Sequence, residues 1–290
     1  MPYLIPADFN KQIQKGNLNQ VIGSDYTIIN SWLLAAQEKA TSYLTQKYLT
    51  EQEFTNTNQW IFSNTYLAAN RVYLDAPVYD PTATYAIGNY TVYQNNFYIA
   101  TATSTAIAFN PAKWTLINPQ YTLYYAQYPQ PYFNINTFYN IGDKVFWAGK
   151  VFTALQPSAT YDNTYRLQVG VPLPPINYFP GTPGYPQWDA GVTYGIPTNT
   201  AITNITYWTQ GDNRGQQMVQ VCINLVLYYA HARISPTSIP VHIKENYRDA
   251  IEWLKDAGDG MITPNLPLKQ PNQGNRVRYG VTKPLNINSY

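Results

Sequence analysis

Reactive side chains are few in this chain. It holds one cysteine, Cys222, and two histidines, His231 and His242, too few ligands for a zinc site of the usual His/Cys type, although a carboxylate-rich site stays open. His231 falls on or beside a strongly apolar helical stripe, where a structural or interface role fits better than that of a base. Cys222 lies inside the same stripe and reads as a small buried hydrophobe. No serine or cysteine sits in a nucleophile motif. Asp256 and Asp259 lie at a helix end, a solvated position rather than an acid/base pair. Gly258-Asp259-Gly260 reads as a helix stop, because a phosphate loop would need a following helix and a Lys with Ser or Thr. The expectation is therefore no enzyme, no cofactor and no metal.

Aromatic side chains offer more. The chain carries 28 Tyr and 7 Trp, and an aromatic share of 16% stands against only 12% charged residues. Aromatic faces stack on sugar rings, where C–H groups meet the negative π face and apolar area leaves water. Tyr93, Trp114, Trp147 and Trp188 are candidate platforms for a glycan or for a docked protein, while the plainer role for aromatics in a small β module is its core.

These aromatics belong to a repeat. Tyr85-Ala-Ile-Gly88-Asn89 through Tyr93 to Ala100 aligns without gaps, at an offset of 54, with Tyr139-Asn-Ile-Gly142-Asp143 through Trp147 to Ala154. Each copy reads as strand, tight turn (94–96, 148–150) and strand, which is a hairpin, followed by a later Trp, Trp114 or Trp188. In the second copy that Trp follows a Pro/Gly-rich loop over 171–186. From residue 76 to about 210 the texture is Pro, Tyr, Thr, Asn and Val in alternation, a β region.

Helical periods flank it. A short helical segment opens at Pro6 and stops at Gly16. Ser24 or Asp25 then caps a helix running to about residue 49, with Ile28, Ile29, Trp32, Leu33, Ala36, Ala40, Tyr43, Leu44 and Tyr48 on one stripe. Residues 56–73 read as a weaker helix with Trp60, Tyr66 and Leu67 facing inward. After the β region Asp212 caps a helix carrying Met218, Val221, Cys222, Leu225, Val226 and Tyr229, with Pro236 beyond its end. Another helix begins near Pro240, carries Ile243, Tyr247, Ala250, Ile251 and Leu254, and closes at Gly258.

The fold class expected is thus α+β: a small discontinuous helical bundle interrupted by an all-β insertion of two hairpin-based modules. The ranges are 1–75 and 211–268 for the helical domain, 76–125 and 126–210 for the modules, and 269–290 for an extended C-terminal arm. Residues 261–290 hold Lys269, Arg276, Arg278 and Lys283 and no acid, a charge of +4 that, against −2 on the rest of the chain, supplies the whole excess behind the net +2. Such an arm orders on an acidic neighbour or on nucleic acid, yet four cations do not make a nucleic-acid binder. The first ten residues lack a basic stretch followed by a long apolar one, and the apolar run 221–232 falls short of a membrane span. A protein made and assembled in a cytoplasm, without a membrane, is expected. A charge-poor surface suits a chain largely covered by partners, as in a closed ring.

Two resemblances follow from these residues. The start (MPYLIPADFNKQIQKG and SYLTQKYL) and especially 207–267, with YYAHARISPTSIP followed by YRDAIEWLKDAGDGMITPNLP, resemble the head-to-tail connector, or head-completion, family of tailed bacteriophages. The versions from phages of Bacteroidetes, including crAss-like phages, look most similar, and NRVRYG in the tail looks like that subgroup. This implies a helical bundle that assembles, usually as a twelvefold ring, on the portal protein at the capsid vertex and bridges it to other neck and tail ring proteins. It places the protein in the virion, assembled in the bacterial host cytoplasm, with Arg276, Arg278 and Tyr279 as portal or neighbour-subunit contacts and genomic DNA as a candidate neighbour in the channel. The two hairpins are similar to the small chitin-binding type of carbohydrate-binding module: Tyr139, Gly142, Asp143, Val145, Trp147, Gly149 and Trp188 fit its pattern. The first copy departs from it with Asn89 for the Asp and Asn95 for the Gly. The alternative implied is a glycan-binding fibre or decoration protein of the virion.

Overall fold

The computed structural model describes residues 3–10, 12–13, 26–105, 107–135, 137–158, 177–183, 186–234 and 237–269. The expected features at Gly16, Ser24, Asp25 and Pro236, half of the loop over 171–186, and Arg276, Arg278 and Tyr279 lie outside them. The protein is α+β. Its described helices are α1 (Pro6–Phe9), α2 (Tyr26–Leu44), α3 (Thr50–Glu53), α4 (Gln216–Ile234) and α5 (Val241–Asp259). None is long and apolar enough to cross a membrane.

The long helices α2, α4 and α5 pack against one another around a single core. Ile29, Leu33, Ala36, Ala40 and Leu44 of α2 meet Met218, Cys222, Leu225 and Val226 of α4 and Ile243, Ala250 and Leu254 of α5. These are the stripes that the 3.6-residue period marked. Tyr228 and Tyr247 stack across α4 and α5 with centroids 4.0 Å apart. The ends differ from expectation. Helix α2 stops at Leu44, and Tyr48 instead bridges Leu268 in an extended segment. Asp212 lies before α4 rather than capping it, and its carboxylate accepts the Arg214 backbone N–H at 3.1 Å.

Gly258 is not the stop of α5. It lies inside the helix, where a Cβ would sit 2.6 Å from the Tyr43 carbonyl oxygen of α2, so glycine lets the two helices touch. The stop is Gly260 at φ 82°, with the Gly260 and Met261 N–H groups both returning to the Asp256 carbonyl. Gly258→Ala tests this assignment. In an open helix the change would stabilise by about 1 kcal/mol, whereas here it should destabilise by about 1–3 kcal/mol through overpacking, read from urea unfolding.

The expected helix over 56–73 is absent. Residues 57–59 (β1) and 71–73 (β2) are strands of a four-stranded sheet, ordered β1-β2-β8-β12 with β8 at Leu123–Ala126 and β12 at Trp208–Gln210, while β3 (Thr84–Tyr85), β6 (Ser104–Thr105), β7 (Trp114–Pro119) and β11 (Val192–Thr193) belong with the two hairpins. This segment is the first part of a third copy of the repeated module, and the other two copies lie inside it. The copies agree atom by atom. Tyr66, Tyr85 and Tyr139 each accept the N–H of the residue five positions earlier at 2.7–2.8 Å. Asn70, Asn89 and Asp143 each accept the N–H three positions earlier, again at 2.7–2.8 Å. The residue before that Asn or Asp has positive φ in all three: Ala69 63°, Gly88 87°, Gly142 90°. Buried Ala126, Ala100 and Ala154 pair with Trp208, Trp114 and Trp188 respectively.

The nesting follows from the connections. In the inserted copies, β4 (Tyr90–Tyr93) turns into β5 (Asn96–Ala100), and β9 (Lys144–Trp147) into β10 (Lys150–Thr153), through two positive-φ residues, Gln94-Asn95 and Ala148-Gly149, the geometry of a type I′ turn. In the host copy the equivalent residues Leu74 and Thr122 stay hydrogen-bonded at 3.0 Å, and 75–121 stands where the two-residue turn would be. Likewise Ala100 to Ser104 and Ala154 to Ser158 correspond to Ala126 and Ile196, with the second inserted copy between. The first inserted copy shares a core with the host, Val92 and Phe97 joining Trp60, Tyr66, Tyr124 and Trp208. The second has its own core of Phe133, Tyr139, Val145, Phe152 and Trp188. Replacing 128–195 by a Ser-Gly linker should therefore leave a cooperatively folded protein with unchanged helical circular dichroism. Loss of cooperative unfolding would contradict the nested arrangement.

Candidate functional site

Hairpin geometry fixes Tyr93 and Trp147, because a two-residue turn sets the register and the period of two sets the face, and pairing with Ala100 and Ala154 fixes Trp114 and Trp188. Trp114 and Trp188 are each only 6% exposed and are core residues rather than platforms. Trp188 meets Tyr139 edge-on at 5.2 Å and Phe133 at 5.7 Å, and its indole N–H donates to the Tyr178 carbonyl at 2.8 Å. Trp114 sits edge-on to Tyr85 at 5.2 Å and Tyr79 at 5.7 Å, with no partner for its indole nitrogen among the described residues.

Tyr93 and Trp147 occupy equivalent positions at the ends of β4 and β9, and both are half-buried. Phe109 stacks on Tyr93 at 4.0 Å and 9°, occupying one of its faces. Trp147 lies beside Tyr132 at 5.4 Å and Phe179 at 5.3 Å, and these two are 38% and 39% exposed. The second copy thus carries a partly open aromatic strip. The host equivalent, Leu74, is fully buried, so the host offers no such strip and acts as the holder of the other two.

The strip runs into a cleft of about 390 Å3 where the helical body, the host copy and the second inserted copy meet. Tyr128, Tyr132 and Phe146 form its aromatic wall. Thr45, Glu51 and Lys269 supply polar groups, and Leu67 to Asn70 close the host side. Burial, with help from Tyr128 and the Glu51 carboxylate, raises the pKa of the Tyr132 hydroxyl. Among the described residues no group of three His, Cys, Asp or Glu side chains is placed to hold a metal.

A second cluster escaped sequence reasoning. Asp8, Glu53, Arg71 and Arg214 are all buried and form the seam between the helical body and the host sheet. Arg214 reaches Asp8 through both terminal guanidinium nitrogens at 2.7 and 3.0 Å and Asp212 at 2.8 Å, and donates to the Tyr3 carbonyl at 3.0 Å. Arg71 of β2 donates to Asn213 at 2.7 Å and to the Glu53 carbonyl. Glu53 accepts from the Tyr3 hydroxyl and from Gly215 N–H at 2.9 Å. Burial alone would lower the Arg214 pKa, but its bonds to Asp212 and Asp8 outweigh that and raise it. The Asp212 carboxyl is likewise held below its usual range by Arg214, against burial. Two acids and two arginines fully engaged with one another do structural work, and the only sequence signal was the rarity of charge itself.

The remaining chemical candidates stand apart. Cys222 is buried in the helical core, and burial pushes its thiol pKa up. His231 of α4 has its pKa lowered by partial burial and by His242 of α5. Asp259 is exposed at the end of α5, in a surface hollow shared with Lys39, Tyr247 and Arg248. In comparisons with known proteins, no family model and no curated protein matches the chain.

Proposed function

We propose that this chain is a structural virion protein, a ring-forming head-to-tail connector subunit that docks on the portal, bridges the capsid to neck and tail ring proteins, and carries its β modules outward. One observation carries the reading. The two stretches that resemble the connector family, 1–50 and 207–267, are far apart in sequence, yet residues Tyr3 to Phe54 and Met218 to Leu266 supply one helical core. The β modules enter and leave that body between Glu53 and Gly215, where the buried arginine network holds the seam. Mechanism in this reading is assembly: α2, α4 and α5 present a preformed body to a neighbour and to the portal, and the cationic arm adds charge contacts. Sedimentation velocity with the portal of the same phage should shift the portal boundary. An unshifted boundary at micromolar protein would count against the reading.

The partly open strip of Trp147, Phe179 and Tyr132 favours a second reading, a glycan-binding fibre or decoration protein of the virion. It requires saccharide binding that Trp147→Ala abolishes, together with no portal association.

A further inference from the structure

We propose that the cleft bounded by Tyr128, Tyr132, Leu67 and Glu51 is the seat of this chain's own C-terminal arm, residues 270–279. This does not depend on the connector reading, and it departs from it at one point: Arg276, Arg278 and Tyr279 are seated on their own chain rather than on the portal or a neighbouring subunit. The described chain ends at Lys269. Pro267 to Lys269 run beside Lys47 to Leu49 as an added strand: Leu49 N–H donates to Pro267 O at 2.7 Å, Tyr48 and Leu268 form a bridge, and Lys269 N–H donates to Lys47 O at 2.8 Å. The Lys269 ammonium folds onto the Thr45 carbonyl, and Lys269 is itself part of the cleft wall. The chain is thus delivered, pinned by its backbone, to the lip of the cleft. Ten further residues span up to about 33 Å when extended, ample to cross a space of about 390 Å3.

The chemistry of the two sides matches. Among the described lining residues Glu51 is the one acid, and it is exposed. The arm brings Arg276, Arg278 and Tyr279 with no acid. Leu67 is 48% exposed and Tyr132 38%, an apolar wall that a tyrosine and the stems of arginines would cover. A guanidinium beside Glu51 and over the Tyr128 or Tyr132 ring gains both charge and cation–π attraction.

Trypsin reads this directly, since Arg276 and Arg278 are its cleavage points in the arm. In the full chain, cleavage after these residues should be at least about tenfold slower than in a synthetic peptide of residues 270–290, because proteolysis follows the undocked population. Tyr132→Ser and Glu51→Lys change exposed side chains and should each restore most of the peptide's rate, with far-UV circular dichroism unchanged. The protected rate should not vary on hundredfold dilution. Cleavage at the peptide's rate in the wild type, or protection untouched by both variants, would overturn the proposal. Protection lost on dilution would overturn it too, by assigning the cleft to the arm of a second copy.

Discussion

Trp208→Ala should destabilise the protein by about 3–5 kcal/mol, the range for removing a buried large aromatic side chain, and should do so for the whole β region. Trp208 is 2% exposed, opens β12 opposite Ala126, and meets Tyr66 edge-on at 5.2 Å. It closes the host copy, in whose connections both other copies are held. Trp188 closes only the second inserted copy, whose core is separate, so Trp188→Ala should leave the host and helices folded. A finer contrast comes from the indole nitrogens. Trp188 donates to Tyr178 O, whereas Trp208 has no acceptor for its buried N–H among the described residues. Phenylalanine at 188 therefore loses a hydrogen bond worth about 0.5–1.5 kcal/mol as well as volume, and at 208 volume alone. Urea unfolding followed by tryptophan fluorescence and far-UV circular dichroism separates these outcomes.

Arg214→Met should cost about 3–5 kcal/mol, because it leaves buried Asp8 and partly buried Asp212 without their cation. Asp8→Asn in the Arg214→Met background should recover part of that loss, which makes a double-mutant cycle the measurement of choice. The same seam carries a pH dependence of known sign. Asp212 has a folded-state pKa below its unfolded value, so its contribution is present above the ordinary aspartate range and is lost as pH falls through the lowered pKa. Acid should thus loosen the seam between the helical body and the host sheet. In Arg214→Met that Asp212-linked loss of stability with falling pH should be much reduced.

The helical body was legible because its stripes keep a 3.6-residue period through α2, α4 and α5, and period survives without knowledge of partners. Helix ends were less so. Gly258 and Gly260 look alike in sequence, and only the approach of Tyr43 O to one and the positive φ of the other tell them apart. The two intact hairpins could be aligned because nothing interrupts them. The host copy could not: its Leu74 and Thr122, adjacent in the sheet, are separated by an entire inserted copy, and alanine replaces glycine at its left-handed position, Ala69. Trp60, Tyr66 and Leu67 consequently imitated a helical face. Of the site, the aromatic positions were legible, but which of them point inward depended on the pairing of Ala100 with Trp114 and Ala154 with Trp188. The cleft and the arginine seam join segments from across the chain, which no local pattern encodes.

Electron microscopy of the purified protein mixed with the portal of its phage tests the connector proposal most directly. The account predicts a ring stacked on the portal, built from the helical bodies, with the β modules projecting from its rim. Free monomers beside undecorated portals, with the full chain and with the arm removed after Leu268, would contradict it.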